Sequence, residues 1–160
     1  TYGMTETITH VAAKKIQDKY FTVLPHANIS TDTRGCLVVE APLVANELIV
    51  TNDLVEMPNE IQFRWIGRID NVVNSGGVKL IPEQIEEKLA DYIPYRFFVI
   101  GKEDKDLGQK LVLVIEHEPY TLVPEAMNSL EKYEKPKEVF FVSKFKETPT
   151  GKILRRETIS

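Results

Sequence analysis

Short apolar runs alternate with turn residues through the first part of the chain, between residues 28 and 66. Runs of this length, bounded by Gly, Pro, Asn and Asp, are typical of β-strands joined by tight turns. We expect a small antiparallel sheet or a partial barrel here. The predicted strands cover residues 35–40, 47–51, 54–57 and 60–66.

Helical spacing first appears after residue 80. Pro82 suits the first turn of a helix, and Ile85, Leu89 and Ile93 recur at helical spacing, so a helix is predicted over residues 82–92. Before it, two short strands flank a turn at residues 74–77. After it, the pattern predicts strands at 96–101, 110–117 and 139–143, and helices at 124–133 and 153–158. This mixed order indicates an α+β fold: a small β-rich subdomain followed by a compact α+β domain.

Composition and charge exclude several classes of function. The 160 residues are 42% hydrophobic and 28% charged, which is typical of a globular protein. A net charge of −4, with Lys and Arg spread along the chain, argues against a nucleic-acid partner. No apolar run approaches the roughly 20 residues of a transmembrane helix, and the first ten residues do not resemble a secretory signal, so we expect a cytoplasmic protein. One cysteine, Cys36, and three histidines make neither an internal disulfide nor a zinc site.

A turn near the end of the chain presents Lys152 with little bulk beside it. Proline, threonine and glycine precede this lysine, in the order Thr148-Pro149-Thr150-Gly151-Lys152. A mobile ammonium on such a loop is suited to reach over a negatively charged reaction centre. The competing interpretation is a solvated lysine that ends a loop before a helix.

The first residues combine an aromatic ring, hydroxyls and a carboxylate, in the order Tyr2-Gly3-Met4-Thr5-Glu6-Thr7. A carboxylate such as Glu6 can hold Mg²⁺, which usually takes one or two protein carboxylates together with substrate phosphates. The ring of Tyr2 can stack on a base. Thr-Glu pairs are also common at helix starts, so this motif is weak by itself.

Two further groups of residues carry possible chemistry. Asp53 lies between two apolar runs, where a carboxylate in a turn can accept hydrogen bonds from a ribose diol. A plain hairpin turn with Arg68 in a surface ion pair is the alternative. The small residues Ser75-Gly76-Gly77 allow close approach of a ligand or of another backbone, and a hairpin turn explains them equally well.

Taken in order, these motifs resemble the adenylate-forming acyl-CoA synthetases. The resemblance covers essentially the whole chain and rests on five motifs in the family's order: residues 2–7, Asp53, residues 67–70, Gly76-Gly77 with Pro82 behind them, and residues 149–152. It implies that residues 1–67 are the β-rich end of a large amino-terminal domain. Residues 68–70 are then a hinge, and 71–160 a mobile carboxyl-terminal lid.

The resemblance also implies a role for each matching residue. Tyr2 and Thr5 look like contacts to the adenine and the α-phosphate, and Glu6 looks like the carboxylate that holds Mg²⁺. Asp53 and Arg68 resemble the ribose-binding pair, and Asp70 the hinge residue. Lys152 resembles the adenylation lysine. The turn Ser75-Gly76-Gly77 looks like the lining of the CoA channel.

The implied reaction joins a carboxylic acid to CoA through an acyl-AMP, with ATP and Mg²⁺. No Ser/Thr/Gly-rich phosphate loop ending in Lys occurs in the chain. We therefore expect a carboxyl-terminal fragment that needs the missing amino-terminal part of the same chain and is inactive alone. Asn52 stands where the family usually has Gly before the ribose aspartate, and Gln84 where it commonly has Glu.

The amino-acid sequence of residues 2–10 and 63–77 looks most like that of the o-succinylbenzoate-CoA ligases of menaquinone biosynthesis. Three alternatives remain open. They are a ligase for another aryl or fatty acid, an adenylation domain that loads a carrier protein, and a non-catalytic α+β binding module that retained the lid fold.

Overall fold

The computed structural model describes residues 1–43 and 45–160, which form two compact units, Thr1–Asp70 and Asn71–Ser160. The first contains strands and 3-10 turns. The second combines strands with short α-helices. Mostly antiparallel strands with few helices confirm the predicted α+β class.

The first unit is a seven-stranded antiparallel sheet. Its strands are β1 (Tyr2–Gly3), β2 (His10–Ala13), β3 (Phe21–Val23), β4 (Asn28–Thr31), β5 (Cys36–Glu40), β6 (Ile49–Asn59) and β7 (Gln62–Arg68). Their order across the sheet is β1-β2-β3-β7-β6-β5-β4. The buried core contains Val11, Leu37, Val39 and Phe63, on which Tyr2 and Phe21 pack. The four strands β1 to β4 were wholly or largely missed by the sequence pattern, because they are short and carry little apolar alternation.

The predicted strands at 47–51 and 54–57 are one continuous strand, β6, so the turn expected at Asn52 and Asp53 is wrong. The Cα atom of Asp53 lies opposite that of Arg68 in the β6 and β7 ladder. Turn propensity is overridden because both side chains find partners within the sheet. The ladder shifts register just beyond Leu54, which accommodates the departure from regular pairing.

The second unit is a five-stranded sheet covered by short helices. Strands β8 (Val73–Ser75) and β9 (Val78–Leu80) form a hairpin, and β10 (Phe97–Asp104) and β11 (Gly108–Glu116) form another. The central strand, β11, also pairs with β8 and, in parallel, with β12 (Glu138–Val142).

Side chains of β11 are buried on both faces of the sheet. Leu111, Leu113 and Ile115 enter one core cluster with residues of the helices, while Val112 and Val114 enter another with Phe98 and Phe145. A strand buried on both faces reads as a continuous apolar run.

Both longer helices end earlier than predicted. α1 spans Pro82–Leu89, after which the Tyr92 amide donates to the Leu89 carbonyl at 3.0 Å in a tighter turn. The helix cannot continue through Ile93, since a residue before proline is disfavoured in helical conformation. α2 spans Pro124–Asn128, because the Ser129 hydroxyl bonds the Ala126 carbonyl and competes with the helix. The last helix, α3, spans Arg155–Thr158, two residues shorter than predicted. Within the described residues, no helix combines the length and the apolar character that crossing a membrane requires.

Candidate functional site

Tyr2 and Asp53 meet in the first unit although they are 51 residues apart in sequence. The Tyr2 hydroxyl donates a hydrogen bond of 2.5 Å to Asp53 Oδ2. Its ring is packed edge-on against Phe63 and Phe21, at centroid distances of 5.1 and 6.0 Å. Burial, together with the hydrogen bond to Asp53, raises the pKa of the Tyr2 phenol above its ordinary value. Tyr2 therefore stays protonated and holds the Asp53 carboxylate as a donor.

Arg68 bridges Asp53 and Asp70. Its guanidinium lies 3.6 Å from Asp53 Oδ1 and 3.0 Å from Asp70 Oδ2. Asp53 is the better shielded carboxylate, with 14% of its side chain exposed against 55% for Asp70. The hydrogen bond to Asp70 raises the pKa of Arg68, and the same bond lowers the pKa of Asp70. The half-exposed Arg68 thus presents a fixed positive charge beside a carboxylate with a free acceptor capacity.

Sequence reasoning missed the residues that support this group. The buried Thr51 hydroxyl accepts the Asp53 amide at 3.0 Å and donates to the Leu37 carbonyl at 2.8 Å. The Asn52 side chain donates to Asp70 Oδ2 at 3.1 Å, and its amide oxygen, Oδ1, accepts from Arg34 at 3.1 Å. A glycine at position 52 lacks both of these bonds. The departure from the family's pattern therefore adds a link to the proposed hinge residue.

Thr5 and Glu6 lie in a 3-10 turn, Thr5–Thr7, directly after β1. Both side chains are exposed. The neighbouring Thr7 hydroxyl is buried and binds the Met4 amide at 3.1 Å, which fixes the turn. Ile8, which ends the turn, adopts φ 60°, a strained conformation for a β-branched residue. The structure does not join Thr5 or Glu6 to Tyr2, Asp53 or Arg68 by any side-chain hydrogen bond among the described residues.

Glu6 fits a magnesium site of one particular kind. Among the residues that the structure describes, no three His, Cys, Asp or Glu side chains are grouped to hold a metal ion. A site that takes one protein carboxylate and otherwise substrate phosphates and water needs no such group. An exposed carboxylate that no described cation pairs with is free to serve as that one ligand.

Lys152 follows a tight turn in the second unit. The Gly151 amide donates to the Thr148 carbonyl at 2.9 Å, and Gly151 adopts φ 81°, which favours glycine. The Lys152 amide donates to the Thr148 hydroxyl at 3.0 Å, while Glu147 pairs with Ile153. The Lys152 side chain is exposed, with no carboxylate of the described residues within ion-pair distance. The turn thus presents an unpaired ammonium.

Ser75 ends β8, and Gly76 and Gly77 form the hairpin turn to β9. Gly76 and Gly77 have φ values of 57° and 84°, as a two-residue hairpin loop requires. The Gly76 amide donates to the Leu107 carbonyl at 2.9 Å, and a Cβ atom at Gly76 would lie 3.2 Å from the Leu107 side chain. A Cβ at Gly77 would meet nothing within 4 Å, so its backbone is open to a ligand.

Known proteins resemble this chain along nearly its whole length. No protein-family model matches it. The 2-succinylbenzoate–CoA ligase of Bacillus cytotoxicus is 27% identical, over 98% of this chain and 40% of that protein. An acyl-CoA synthetase (AMP-forming)/AMP-acid ligase II-like protein from Dyadobacter fermentans is 40% identical in its solved structure, covering 99% of this chain and 49% of that one, with a TM-score of 0.55.

The fold has a further match in the o-succinylbenzoate coenzyme A synthetase of Bacillus subtilis, solved in complex with ATP and a magnesium ion. This match has a TM-score of 0.83 at 21% identity, over 99% of this chain and 40% of that one. The chain spans half or less of the length of each of these relatives. The relatives of this chain in sequence and in fold are AMP-forming acyl-CoA synthetases, and its length fits a carboxyl-terminal fragment of such an enzyme.

Proposed function

We propose that this chain is the carboxyl-terminal part of an ATP-dependent acid-CoA ligase. The observation that carries this proposal is the convergence of Tyr2, Asp53 and Arg68 from strands β1, β6 and β7. A shielded carboxylate held by one donor retains acceptor capacity for the two hydroxyls of a ribose. The adjacent guanidinium of Arg68 complements the phosphate of a nucleotide.

Adenylation brings a carboxylate to the α-phosphate of ATP and expels pyrophosphate, so the main need is positive charge at the reacting centre. Lys152 meets that need, since its ammonium has no carboxylate partner of its own among the described residues. Thr5 would contact the α-phosphate, and Glu6 would hold Mg²⁺, which would neutralise part of the charge on the phosphates.

Thioester formation uses a different part of the second unit. The open backbone at Gly77, next to Gly76 and Ser75, lines the path of the CoA thiol to the acyl-adenylate. Asp70 lies at the boundary of the two units. A change of its backbone conformation would replace the Lys152 turn at the reacting centre by the Gly76-Gly77 turn. The lysine is then no longer needed, because pyrophosphate has already left.

We further propose o-succinylbenzoate as the acid. The support is the sequence similarity to the 2-succinylbenzoate–CoA ligase of Bacillus cytotoxicus and the amino-acid sequence of residues 2–10 and 63–77. The full-length enzyme is expected to show a higher kcat/KM for o-succinylbenzoate than for benzoate, coumarate or a medium-chain fatty acid. Equal use of a fatty acid would remove this substrate and leave the acid-CoA ligase in place.

The two parts of the enzyme are expected to be inactive when separated. The 160-residue chain contains no Ser/Thr/Gly-rich phosphate loop, so pyrophosphate release with ATP, Mg²⁺ and the same acids should stay at background. The full-length enzyme is the positive control. Turnover by the short chain alone, or no acyl-CoA from the full-length enzyme with any acid, contradicts the proposal.

A further inference from the structure

The turn that carries Lys152 is anchored on its carboxyl-terminal side by a shielded ion pair. Arg155, the first residue of α3, binds Glu86 of α1 through two nitrogens, at 2.7 and 3.0 Å. Glu86 also accepts the Val99 amide of β10 at 2.7 Å, and Arg155 donates to the Val99 carbonyl at 3.0 Å. Only 19% of the Glu86 side chain and 24% of the Arg155 side chain are exposed. Three elements of the second unit therefore meet at one carboxylate.

A second ion pair holds the other side of the turn. Glu147 pairs with Arg96, which also lies 3.1 Å from Glu116. The other oxygen of Glu116 accepts the Phe145 amide at 2.7 Å, and the Arg96 guanidinium lies over the Phe145 ring at 5.3 Å. Residues 148–152 thus project from a base that is fixed at both ends.

The turn between these anchors has little holding it besides its own backbone bonds. Thr150, Gly151 and Lys152 are exposed and contribute no side chain to the buried clusters. Ile153 packs against the cluster of Phe98 and Phe145, and its neighbour Leu154 donates its amide to the Lys146 carbonyl at 2.8 Å. The direction of the Lys152 side chain therefore depends on where residues 153–155 are held.

Shielded ion pairs of this kind are weak evidence for stability, since desolvation opposes the attraction. Burial raises the pKa of the Glu86 carboxyl, against the effect of Arg155 and the Val99 amide. The bidentate geometry nevertheless fixes direction, because a guanidinium fork meets a carboxylate in one plane. A fixed geometry of this kind is better suited to positioning the turn than to stabilising the whole unit.

We propose that Glu86 and Arg155 are positioning residues for Lys152, which set the place of its ammonium in the adenylation step. This inference rests on the proposed function. It assigns no contact with substrate to either residue. Arg155 lies three positions after Lys152. If Arg155 loses its two bonds to Glu86, the resulting displacement reaches Lys152 through only two residues, Ile153 and Leu154.

The first test needs no activity and uses the 160-residue chain. Hydrogen exchange is measured by NMR at the amides of Thr148, Gly151, Lys152 and Leu154, which are bonded within or beside the turn. Glu86→Gln and Arg155→Lys are expected to speed exchange at these amides about tenfold, since each removes part of the bidentate pair. Amides of β11, such as Leu113, should be unchanged and show that the unit remains folded.

A matched control breaks another ion pair of the same helix. Lys88 of α1 binds Glu134 at 2.7 Å, and among the described residues neither side chain is hydrogen-bonded or ion-paired to residues 148–154. Glu134→Gln should leave exchange in residues 148–154 as in the wild type. The inference is wrong if Glu86→Gln and Arg155→Lys also leave it unchanged, or if all three variants speed it equally.

The second test compares the two half-reactions in the full-length enzyme. A displacement of about 1 Å in a positioned group can cost on the order of 100-fold in rate. Glu86→Gln and Arg155→Lys should therefore slow pyrophosphate release tenfold or more with little change in the KM for ATP, and leave thioester formation from preformed acyl-adenylate within twofold. Equal slowing of both steps points to a structural role and overturns the inference. If the wild-type enzyme forms no acyl-adenylate, the proposed function fails while the exchange result stands separately.

Discussion

Replacing Tyr2 by phenylalanine removes one hydroxyl and leaves the aromatic ring against Phe63 and Phe21. Asp53 then loses its 2.5 Å donor while only 14% of its side chain remains exposed. A hydrogen bond to a charged group contributes about 1.5–3 kcal/mol. We expect Tyr2→Phe to lower the free energy of unfolding of the first unit by that amount, because packing is retained and only the donor is lost.

The assay is urea unfolding followed by the fluorescence of Trp65. This is the single tryptophan of the chain and lies in β7 of the first unit, so its signal reports that unit. With a denaturant slope of about 1–2 kcal/mol per molar for a unit of this size, the midpoint should fall by about 1 M or more.

The matched control is Tyr20→Phe. The Tyr20 hydroxyl also donates to a carboxylate, Glu56, at 2.7 Å, but at an exposed position where water replaces the bond. Its midpoint should move much less than that of Tyr2→Phe. Equal midpoints for Tyr2→Phe and the wild type would refute the claim that this bond holds the Asp53 carboxylate in place.

The stability difference between the wild type and Tyr2→Phe should also depend on pH. The pKa of Tyr2 is raised by burial and by the bond to Asp53. The stabilisation that Tyr2 contributes to the folded state is therefore fully present below the ordinary tyrosine pKa of about 10. It is lost as the pH rises toward the higher pKa that Tyr2 has in the folded protein. The stability difference between wild type and Tyr2→Phe should be constant from pH 7 to 9. It should shrink above pH 10 by up to about 1.4 kcal/mol per pH unit. A constant difference up to pH 11 contradicts the assignment.

Three further predictions concern the lysine, the hinge and its neighbour. Lys152→Ala in the full-length enzyme should slow pyrophosphate release on the order of 10²- to 10³-fold and spare thioester formation from preformed adenylate, whereas the exposed Lys144→Ala should affect neither step. Asp70→Pro should spare pyrophosphate release and slow thioester formation, since proline fixes φ near about −65°. Equal slowing of both steps would argue against a conformational change at Asp70 between the two half-reactions. Asn52→Gly removes a donor to Asp70 and should raise the depressed pKa of that carboxyl, followed by NMR titration between about pH 2 and 5. An unshifted titration would show that Arg68 alone holds Asp70.

Local sequence signals succeeded where the chain's own backbone decides the conformation. The turn at Thr148–Gly151 and the hairpin at Gly76 and Gly77 follow from glycines that adopt positive φ. The start of α1 at Pro82 follows from the fixed φ of proline. Its buried face, with Ile85 and Leu89, follows from the helical period.

The same signals failed where a distant partner changes the local preference. Asn52 and Asp53 favour a turn in isolation, but Arg34 and Arg68 bind their side chains within the sheet and the strand continues. The end of α2 was missed because the competing bond of Ser129 adds only a small preference to a helical pattern.

The sequence by itself determined the α+β class, the order of the motifs and the turns that present Lys152 and Gly77. These depend on interactions between residues a few positions apart, for which the chain needs no long-range partner. Only the tertiary structure decided that Tyr2 donates to Asp53, 51 residues away, and that Arg155 binds Glu86, 69 residues away. Such contacts depend on how strands and helices are ordered and packed in space, and residue spacing along the chain carries no direct record of that arrangement.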